Sequence, residues 1–244
     1  MKVYVTCSLA WAPGLASAED WSAWAVDAAP IDSDDKPAAQ AVPAITRRRL
    51  TRWGRQALEV ALNLETTPSI DAPVIFSSRH GDTERTLRLL EALAAGEPLS
   101  PNGFSLSVHN AALGIYTILA GVRAPSIALA AGRDTLAEAW IEAESWLATG
   151  APEVLLVHTD EPLADFYRSD ADEAELPAAL ALLLSAEPQR GAVPVTLTRQ
   201  ASSSSHLTRS MAWEFLAWWF GTGDSLHLPT ERSSWSWRRE SVLA

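Results

Sequence analysis

Three side chains that could bind a metal ion follow a short apolar stretch of the chain. Val154–Val157 predicts a buried strand, and His158, Asp160 and Glu161 come directly after it. Imidazole nitrogens and carboxylate oxygens are common zinc ligands. Neighbouring side chains on a strand point to opposite faces, however, and Asp-Glu-Pro is typical of a turn. The sequence therefore predicts no metal ion and no cofactor.

A second polar group follows the predicted strand Val74–Phe76. Arg79-His80-Gly81 resembles the Arg-His-Gly motif of the histidine phosphatases, in which the His is phosphorylated and the Arg binds phosphate. His158, after a later strand, would supply the second His of that family. The motif normally lies near the start of the phosphatase fold, whereas 78 residues precede it here. A phosphatase is kept as an alternative interpretation.

The sequence contains few other candidates for a nucleophile. Cys7 is the single cysteine, which excludes an intramolecular disulfide and a cysteine-based zinc site. It lies next to Val3–Thr6, a predicted first strand, and no His/Asn pairing points to it, so we expect an inert thiol. The Gly-x-Ser-x-Gly signature of the α/β-hydrolases does not occur in the sequence.

Composition and charge narrow the class of partner. The 244 residues are 48% hydrophobic, as in a globular domain, and carry a formal net charge of −11. Phosphate binding needs a basic surface, so nucleic acid is excluded as a partner. No window approaches 18 uninterrupted apolar residues, and no membrane span is predicted. The segment before Ala18 predicts a strand and a turn rather than a signal peptide.

Strands alternate with helices along most of the chain, which predicts an α/β domain with a mixed sheet. Helices are predicted over residues 47–64, 83–95, 110–119 and 134–148. Thr46 is a possible N-cap of the first helix, and the third is expected to be buried throughout. Two apolar stretches, Ala179–Leu184 and Val193–Thr198, predict an antiparallel hairpin.

The chain divides into two segments of different composition. Residues 1–200 hold the predicted α/β domain. Residues 201–244 are predicted as a Ser-rich linker, Ser202–Ser205, and a Trp-rich tail that packs on the domain or on a partner. Within this tail Trp213–Phe220 is apolar almost all round, which is typical of a buried helix or a subunit interface.

A basic cluster is a second candidate contact surface, besides the Trp-rich tail. Five arginines lie within nine residues of an acidic protein: Arg47, Arg48, Arg49, Arg52 and Arg55. They predict either a solvated helix face or a docking surface for an acidic partner.

From Arg47 to about Thr198 the chain resembles the N-terminal half of the β-ketoacyl synthases. The similarity lies in the order and spacing of four segments: Ile45–Arg52, Val74–Gly81, Leu99–Gly114 and Gly121–Ser126. The last segment resembles the Gly-Pro-Ser that opens the strand before the nucleophile. The most similar pattern is that of the short β-ketoacyl synthase-like N-terminal domain proteins of aryl polyene clusters, which resemble truncated chain length factors.

The nucleophile of that family is missing from this sequence. In a ketosynthase the strand after Gly-Pro-Ser leads to a cysteine that accepts the acyl chain. Aligned without a gap, Arg133 occupies this position, and with a one-residue gap Gly132 does. Neither side chain can form a thioester. The two catalytic histidines belong to the C-terminal half of a ketosynthase, so the resemblance implies that this chain has no catalytic residues.

The resemblance implies a thiolase-like fold and a non-catalytic subunit of the chain length factor type. Its partner would be a full-length β-ketoacyl synthase in the cytoplasm, and the complex would use acyl carrier protein to elongate a polyene, polyketide or fatty acyl chain. A ketosynthase-fold binding module without a ketosynthase partner is a further alternative.

The same resemblance implies two contact surfaces on this subunit. One is a strand at the sheet edge that pairs with the partner, formed by Ser126, Ile127, Ala128, Leu129, Ala130 and Ala131. The other is the basic segment that receives the acidic carrier protein, formed by Arg47, Arg48, Arg49 and Arg52.

Overall fold

The computed structural model of the chain describes residues 1–15, 17–201 and 207–240. The strands are β1 (Lys2–Trp11), β2 (Val74–Ser77), β3 (Ser126–Leu129), β4 (Glu153–Asp160), β5 (Ala178–Ser185), β6 (Val193–Ala201), β7 (Ser225–Pro229) and β8 (Ser233–Arg239). The α-helices are α1 (Ala18–Trp24), α2 (Ala44–Arg47), α3 (Arg52–Leu62), α4 (Thr83–Ala94), α5 (Pro101–Ser105), α6 (Ala111–Ala120), α7 (Thr135–Ala148) and α8 (Met211–Phe220). The predicted linker Ser202–Ser205 lies outside the described residues.

All eight strands belong to one sheet, in the order β3-β2-β4-β5-β1-β6-β8-β7. β3, β2 and β4 run parallel, and every other neighbouring pair is antiparallel. Parallel strands need long crossover connections. The segment with α4 to α6 connects β2 to β3, and α7 connects β3 to β4 on the other side of β2. The predicted α/β class with a mixed sheet is confirmed.

The predicted hairpin of β5 and β6 is wrong, because β1 lies between the two strands. β1 pairs antiparallel with β5 on one side and with β6 on the other. Tyr4 of β1 pairs with both Ser185 and Pro194, so β6 begins level with the end of β5 and runs in the same direction. An apolar pattern predicts a strand but does not show whether another strand separates it from the next one.

Helices cover both faces of the sheet and create two cores. One core contains residues of α1, α7 and α8, among them Trp140 and Phe215, neither of which has any exposed surface. The other core contains residues of α3 and α6, including the fully buried Leu58. Side chains of β4 alternate between the cores, with Leu156 in the first and Leu155 in the second. A strand covered on both faces carries a continuous apolar run, as β4 does over Val154–Val157 and β5 over Ala178–Leu184.

The arginine-rich segment forms two helices instead of one. Residues 48–51 separate α2 from α3, and Thr51 is the N-cap residue of α3. The predicted N-cap, Thr46, lies inside α2. The Thr51 hydroxyl donates a hydrogen bond of 2.7 Å to Asp82 Oδ2, and this buried contact joins the start of α3 to the segment after β2.

The prediction that α6 is buried throughout is wrong. Only Ala112, Leu113 and Tyr116 are buried, whereas Ile118 keeps 81% of its surface exposed. The helix is apolar on all sides, but the sheet and α3 cover one face only.

The described part of residues 201–244 packs against the rest of the same chain. The ring of Phe215 in α8 lies 6.2 Å from that of Trp140 in α7. β8 pairs with β6, and Trp235 Nε1 donates a hydrogen bond of 2.9 Å to Asp134 Oδ1 at the start of α7. This part of the tail therefore shares the sheet and a core with residues 1–200.

Within the described residues, none of the helices has the length and apolar character that crossing a membrane requires.

Candidate functional site

Four buried polar side chains meet where β2 and β4 end. Ser77 Oγ lies 2.9 Å from His158 Nδ1, and His158 Nε2 lies 2.9 Å from Asp160 Oδ2. The other oxygen of Asp160 accepts hydrogen bonds from Ser78 Oγ at 2.8 Å and from the Arg79 amide at 2.9 Å. These groups are distant in sequence and meet because β2 and β4 are parallel neighbours whose carboxyl ends lie at the same edge of the sheet.

This cluster is a structural network. Burial acts to raise the pKa of Asp160, but His158, the Ser78 hydroxyl and the Arg79 amide stabilise the carboxylate and hold its pKa below the ordinary value. Ser77, His158 and Asp160 follow the order of a nucleophile, a base and an orienting acid. Ser77 is only 1% exposed, however, so its hydroxyl is closed to a substrate. The contacts satisfy polar groups that would otherwise be buried alone.

The third candidate metal ligand, Glu161, binds a different partner. Its two carboxylate oxygens accept hydrogen bonds of 2.8 and 2.9 Å from Arg52 Nε. The structure thus brings His158 and Asp160 together but leaves Glu161 in an ion pair with Arg52. Across residues 1–15, 17–201 and 207–240, no three His, Cys, Asp or Glu side chains are grouped so that they could hold a metal ion.

The charged side chains of the Arg-His-Gly motif are held in contacts with carboxylates. Arg79 Nη1 lies 2.5 Å from Glu173 Oε1, and Arg79 Nη2 lies 2.9 Å from Asp172 Oδ1. His80 Nε2 lies 3.2 Å from a carboxylate oxygen of Glu175. Phosphate binding by this motif requires a free cation beside the His, and two carboxylates already neutralise Arg79. The geometry therefore does not favour the phosphatase interpretation.

Arg133, which with Gly132 is one of the two residues predicted to occupy the family's nucleophile position, belongs to the same ion-pair cluster. Its Nε donates a hydrogen bond of 3.1 Å to Asp172 Oδ2, and its Nη2 donates one of 2.7 Å to the Asp172 carbonyl oxygen. Glu173 Oε2 lies 3.7 Å from Arg133 Nη1. Asp172 thus bridges Arg79, after β2, and Arg133, after β3. The guanidinium is held by these contacts and carries no group that could accept an acyl chain.

The two carboxylates of this cluster have opposite pKa shifts. Hydrogen bonds from Arg79 and Arg133 and the charges of both arginines lower the pKa of Asp172 to about 2. Burial raises the pKa of Glu173 to about 7, against the attraction of the same arginines. Asp172 is half exposed at the rim, whereas the Glu173 side chain is almost fully enclosed, which accounts for the difference.

The loop before α7 is fixed by hydrogen bonds between its backbone and the Thr135 side chain. Gly132 has a φ of 63°, a left-handed conformation that glycine adopts without strain. Thr135 Oγ1 donates a hydrogen bond of 2.6 Å to the Gly132 carbonyl oxygen and accepts one of 2.9 Å from the Ala131 amide. A cleft of about 530 Å³ opens beside this loop. Its described lining residues include Arg79, Arg133 and Arg199 but no cysteine, serine or histidine.

β3, the predicted partner strand, is the first strand of the sheet, and among the described residues it has one hydrogen-bonded neighbour, β2. It ends at Leu129, so Ala130 and Ala131 belong to the following loop and not to the strand. Ser126 and Ile127 are exposed, the latter by 37%. The β2 amides of Val74 and Ser78 donate hydrogen bonds to the carbonyl oxygens of Pro125 and Leu129.

Alternate residues of β3 direct their backbone groups to opposite sides of the strand. Since Pro125 and Leu129 face β2, residue 127 does too, and Ser126 and Ala128 direct their amide and carbonyl groups to the open edge. An open edge of this kind is a template for pairing with another strand.

The predicted carrier-docking arginines are not equivalent. Arg48 and Arg49 are exposed, and Arg47 is half-buried and bonds the Ala39 carbonyl oxygen. The prediction for Arg52 needs correction, because its Nη2 lies 2.6 Å from a carboxylate oxygen of Glu161 and its side chain is only 16% exposed. A neutralised and largely buried guanidinium contributes little to a docking surface, so the predicted surface is reduced to Arg47, Arg48 and Arg49.

The sequence analysis missed Asp172 and Glu173, which control the site. Both lie in an acidic segment, residues 160–175, that contains no recognisable motif. A signal did exist, since Arg79 and Arg133 each directly follow a predicted strand, and arginines confined at strand ends need carboxylate partners.

The architecture defines the class of protein. A mixed eight-stranded sheet with helices on both faces is the arrangement of the ketosynthases, whose fold is thiolase-like. One solved structure with this fold, a β-ketoacyl synthase from Burkholderia phymatum, is 15% identical with a TM-score of 0.61; the match covers 90% of this chain and 70% of that one. Another contains a type II polyketide acyl carrier protein in complex with its ketosynthase, at 15% identity and a TM-score of 0.64, covering 82% and 69% of the two chains.

The family follows from the sequence itself. The model of the β-ketoacyl synthase N-terminal domain matches residues 21–238, and the chain belongs to this family. It is also similar to a chain in the structure of a ketosynthase, ApeO, in complex with its chain length factor, ApeC, from Xenorhabdus doucetiae. That match has 29% identity and a TM-score of 0.84, and it covers 98% of this chain and 100% of the other. The comparison with curated proteins gives no match.

The lowered pKa of Asp172 predicts a pH dependence. A carboxyl whose pKa falls from 3.8 to about 2 on folding stabilises the protein above the unfolded value, and this contribution is lost as the pH falls toward about 2. The difference in free energy of unfolding between the wild type and Asp172→Asn should therefore be largest above about pH 4 and shrink below it. Urea denaturation at about pH 5, 4 and 3 measures this difference.

The control for this prediction is Asp165→Asn. Asp165 is exposed and pairs only with the exposed Arg168, so its replacement should change the free energy of unfolding by less than about 0.5 kcal/mol. A difference between Asp172→Asn and the wild type that stays constant from about pH 5 to pH 3 would contradict the role given to the ion-pair cluster.

Proposed function

We propose that this chain is a non-catalytic subunit of the chain length factor type, which pairs with a full-length β-ketoacyl synthase in the cytoplasm. The partner carries the nucleophilic cysteine and both histidines. The complex condenses acyl and malonyl groups on acyl carrier protein to build a polyene, polyketide or fatty acyl chain. This subunit stabilises the partner and shapes the complex in which the chain grows.

One observation carries the proposal. The chain has a ketosynthase fold, and the loop between β3 and α7 holds Arg133 in an ion pair. The resemblance places Gly132 or Arg133, neither of which can act as a nucleophile, at the family's cysteine position. A guanidinium neutralised by Asp172 cannot attack a thioester. A fold of this kind without its nucleophile is useful to condensation only as a subunit of a complex that contains one.

Two further findings support the pairing. The open edge of β3 presents the amide and carbonyl groups of Ser126 and Ala128, and exposed edges without a partner are prone to aggregation. The match to the ketosynthase–chain length factor complex from Xenorhabdus doucetiae includes the whole of one chain in that complex. One subunit of that complex therefore has about the length of this chain.

The proposal predicts that Ala128→Pro releases the partner. Proline has no amide hydrogen, and at position 128 it removes a donor from the open edge while the bonds to β2 remain. The chain itself should fold, and its affinity for the ketosynthase should fall at least tenfold, which is about 1.4 kcal/mol. Co-expression with the tagged ketosynthase encoded nearest to it in the genome, followed by pull-down and native mass spectrometry, measures the effect.

Ala128→Ser is the matched control, because it keeps the amide hydrogen and nearly the same volume, and it should bind like the wild type. Full binding by soluble Ala128→Pro would contradict the assignment of β3 to the interface. A wild-type chain that does not bind the ketosynthase would contradict the proposed function and favour a binding module with another partner.

The basic surface gives a second prediction of the proposal. Replacing Arg48 and Arg49 together by Glu should weaken association of the complex with acyl carrier protein about tenfold at low salt, and the remaining affinity should depend less on salt. Both side chains are exposed, so folding should not change. Fluorescence titration with labelled carrier protein at two salt concentrations measures both effects.

The matched control reverses two exposed cations elsewhere, Lys36 and Arg190. This double variant should bind carrier protein like the wild type. If the Arg48/Arg49 variant and the control have the same affinity and salt dependence, the two arginines are only part of the solvated surface.

A further inference from the structure

Tyr116 in α6 has a hydroxyl group for which the described chain offers no partner. The side chain is buried, with 2% of its surface exposed, and its ring centre lies 5.5 Å from that of Phe76. The hydroxyl forms no hydrogen bond with any residue that the structure describes. Burial raises the pKa of Tyr116 to about 12, so the hydroxyl keeps its proton and remains a donor at neutral pH. A buried phenol usually has a hydrogen-bond partner.

The hydroxyl reaches a cavity instead of another part of the chain. Some polar atoms of this structure, such as Trp21 Nε1, are fully enclosed and lack a partner, but the Tyr116 oxygen is not one of them. It therefore keeps some accessible surface, and Tyr116 lines a cavity of about 150 Å³. The apolar walls of this cavity come from the end of α3, the segment before β2 and the end of α6: Leu62, Leu64, Ile70, Ala120 and Val122.

The lining of the cavity suits a neutral ligand. None of the described residues around it carries a charge, and its two other hydroxyl groups belong to the exposed residues Thr67 and Ser69. An apolar cavity of about this volume holds a six-membered hydrocarbon ring. Apolar walls with a few placed polar groups are the usual composition of a small-molecule site. An acceptor on such a ring would give the Tyr116 hydroxyl the hydrogen bond that the chain does not provide.

The cavity lies at the starts of β2 and β3. The Arg123 amide donates a hydrogen bond of 2.7 Å to the Ile70 carbonyl oxygen, which joins the segment before β2 to the segment before β3. The cleft beside Gly132 and Arg133 lies after the other end of β3, and no described residue lines both spaces. Ile70 lines the cavity and keeps 44% of its surface exposed, so the cavity wall reaches the protein surface at this residue.

We propose that this cavity binds a small uncharged molecule with a compact apolar body and one hydrogen-bond acceptor, and that Tyr116 Oη donates the hydrogen bond to that acceptor. The apolar walls hold the body of the ligand, and the hydroxyl fixes its orientation. Ketones, esters and amides belong to this class. Carboxylates and phosphates do not, because their charge would be buried without a counter-ion. The inference is independent of the proposed function, since it uses neither the open edge of β3 nor a partner.

The test compares two probes of the same shape. Cyclohexanone has a carbonyl oxygen where methylenecyclohexane has a CH₂ group. Ligand-detected NMR with the whole chain should give a dissociation constant of about 1 mM for cyclohexanone, which is within the limits for a ligand of this size. Tyr116→Phe removes the hydroxyl alone, so it should weaken the binding of cyclohexanone about fivefold and leave that of methylenecyclohexane unchanged. Its thermal unfolding midpoint should not fall, since the hydroxyl has no partner in the described chain.

A second variant fills the cavity. Ala120→Leu adds apolar atoms at the cavity wall, and it should weaken the binding of both probes at least tenfold. The matched control is Ala148→Leu, the same substitution at the last residue of α7, which does not line the cavity. This control should bind both probes like the wild type, and circular dichroism checks that each variant folds.

Three results would overturn the inference. One is a wild type that binds neither probe at ten times the expected dissociation constant. Another is equal affinity for cyclohexanone in the wild type, Tyr116→Phe and Ala120→Leu, because the probe then binds elsewhere. The third is a clear fall in the unfolding midpoint of Tyr116→Phe without any probe, which would show that the hydroxyl has a structural partner. Each of these results leaves the pairing with the ketosynthase unaffected.

Discussion

Asp172 bridges two arginines that the parallel part of the sheet brings to the same edge. Arg79 follows β2 and Arg133 follows β3, and each would be a largely enclosed cation without a carboxylate beside it. Burying an unpaired charge costs far more free energy than a single ion pair returns, so the loops after β2 and β3 can keep their positions only while Asp172 and Glu173 occupy theirs. The loop that precedes α7, the cleft beside it and the acidic segment 170–175 are therefore one electrostatic unit.

This unit is consistent with the proposal that the chain keeps a ketosynthase fold but leaves the chemistry to its partner. The strand–loop–helix arrangement that would present a nucleophile is retained, with Gly132 in the turn and Thr135 fixing the start of α7. The ion-paired Arg133, or Gly132 if the alignment has a gap, is predicted to replace the reactive group. In the described chain, β3 is an edge strand and one face of α6 is exposed. We propose on these grounds that the molecule is one half of a complex whose chemistry lies in the other half.

Much of the fold follows from local pattern. Apolar runs predict the strands at Val74–Phe76 and Ala179–Leu184, and helical spacing predicts the helix at Thr135–Ala148. Both patterns depend on a few neighbouring residues only. The position of β1 between β5 and β6 does not, because pairing between strands far apart in the chain leaves no periodicity in either strand. The same limit applies to the part of the tail that the structure describes. Its tryptophans indicate burial, but only the pairing of β8 with β6 shows which part of the chain buries them.

The candidate site was predictable in one respect only. The order of the motifs predicts Gly132 or Arg133 at the family's nucleophile position, and this stays a prediction. The carboxylates that hold Arg133 lie about 40 residues away in an acidic loop, and no motif indicates them. The same limit applies to Arg52, which the sequence assigns to a basic surface and the structure pairs with Glu161. Ion pairs between distant segments depend on tertiary contacts, and charge counts along the chain do not reveal them.

Covalent labelling tests the central claim that this chain is the non-catalytic member of a condensing complex. The co-expressed complex is incubated with acyl-loaded acyl carrier protein, and the intact mass of each subunit is then measured. We expect the mass of one acyl group on the ketosynthase and an unchanged mass for this chain, both for the wild type and for a Cys7→Ser variant that lacks the only thiol. An acyl group attached to this chain, with elongation that continues when the cysteine of the ketosynthase is replaced by alanine, would contradict the account.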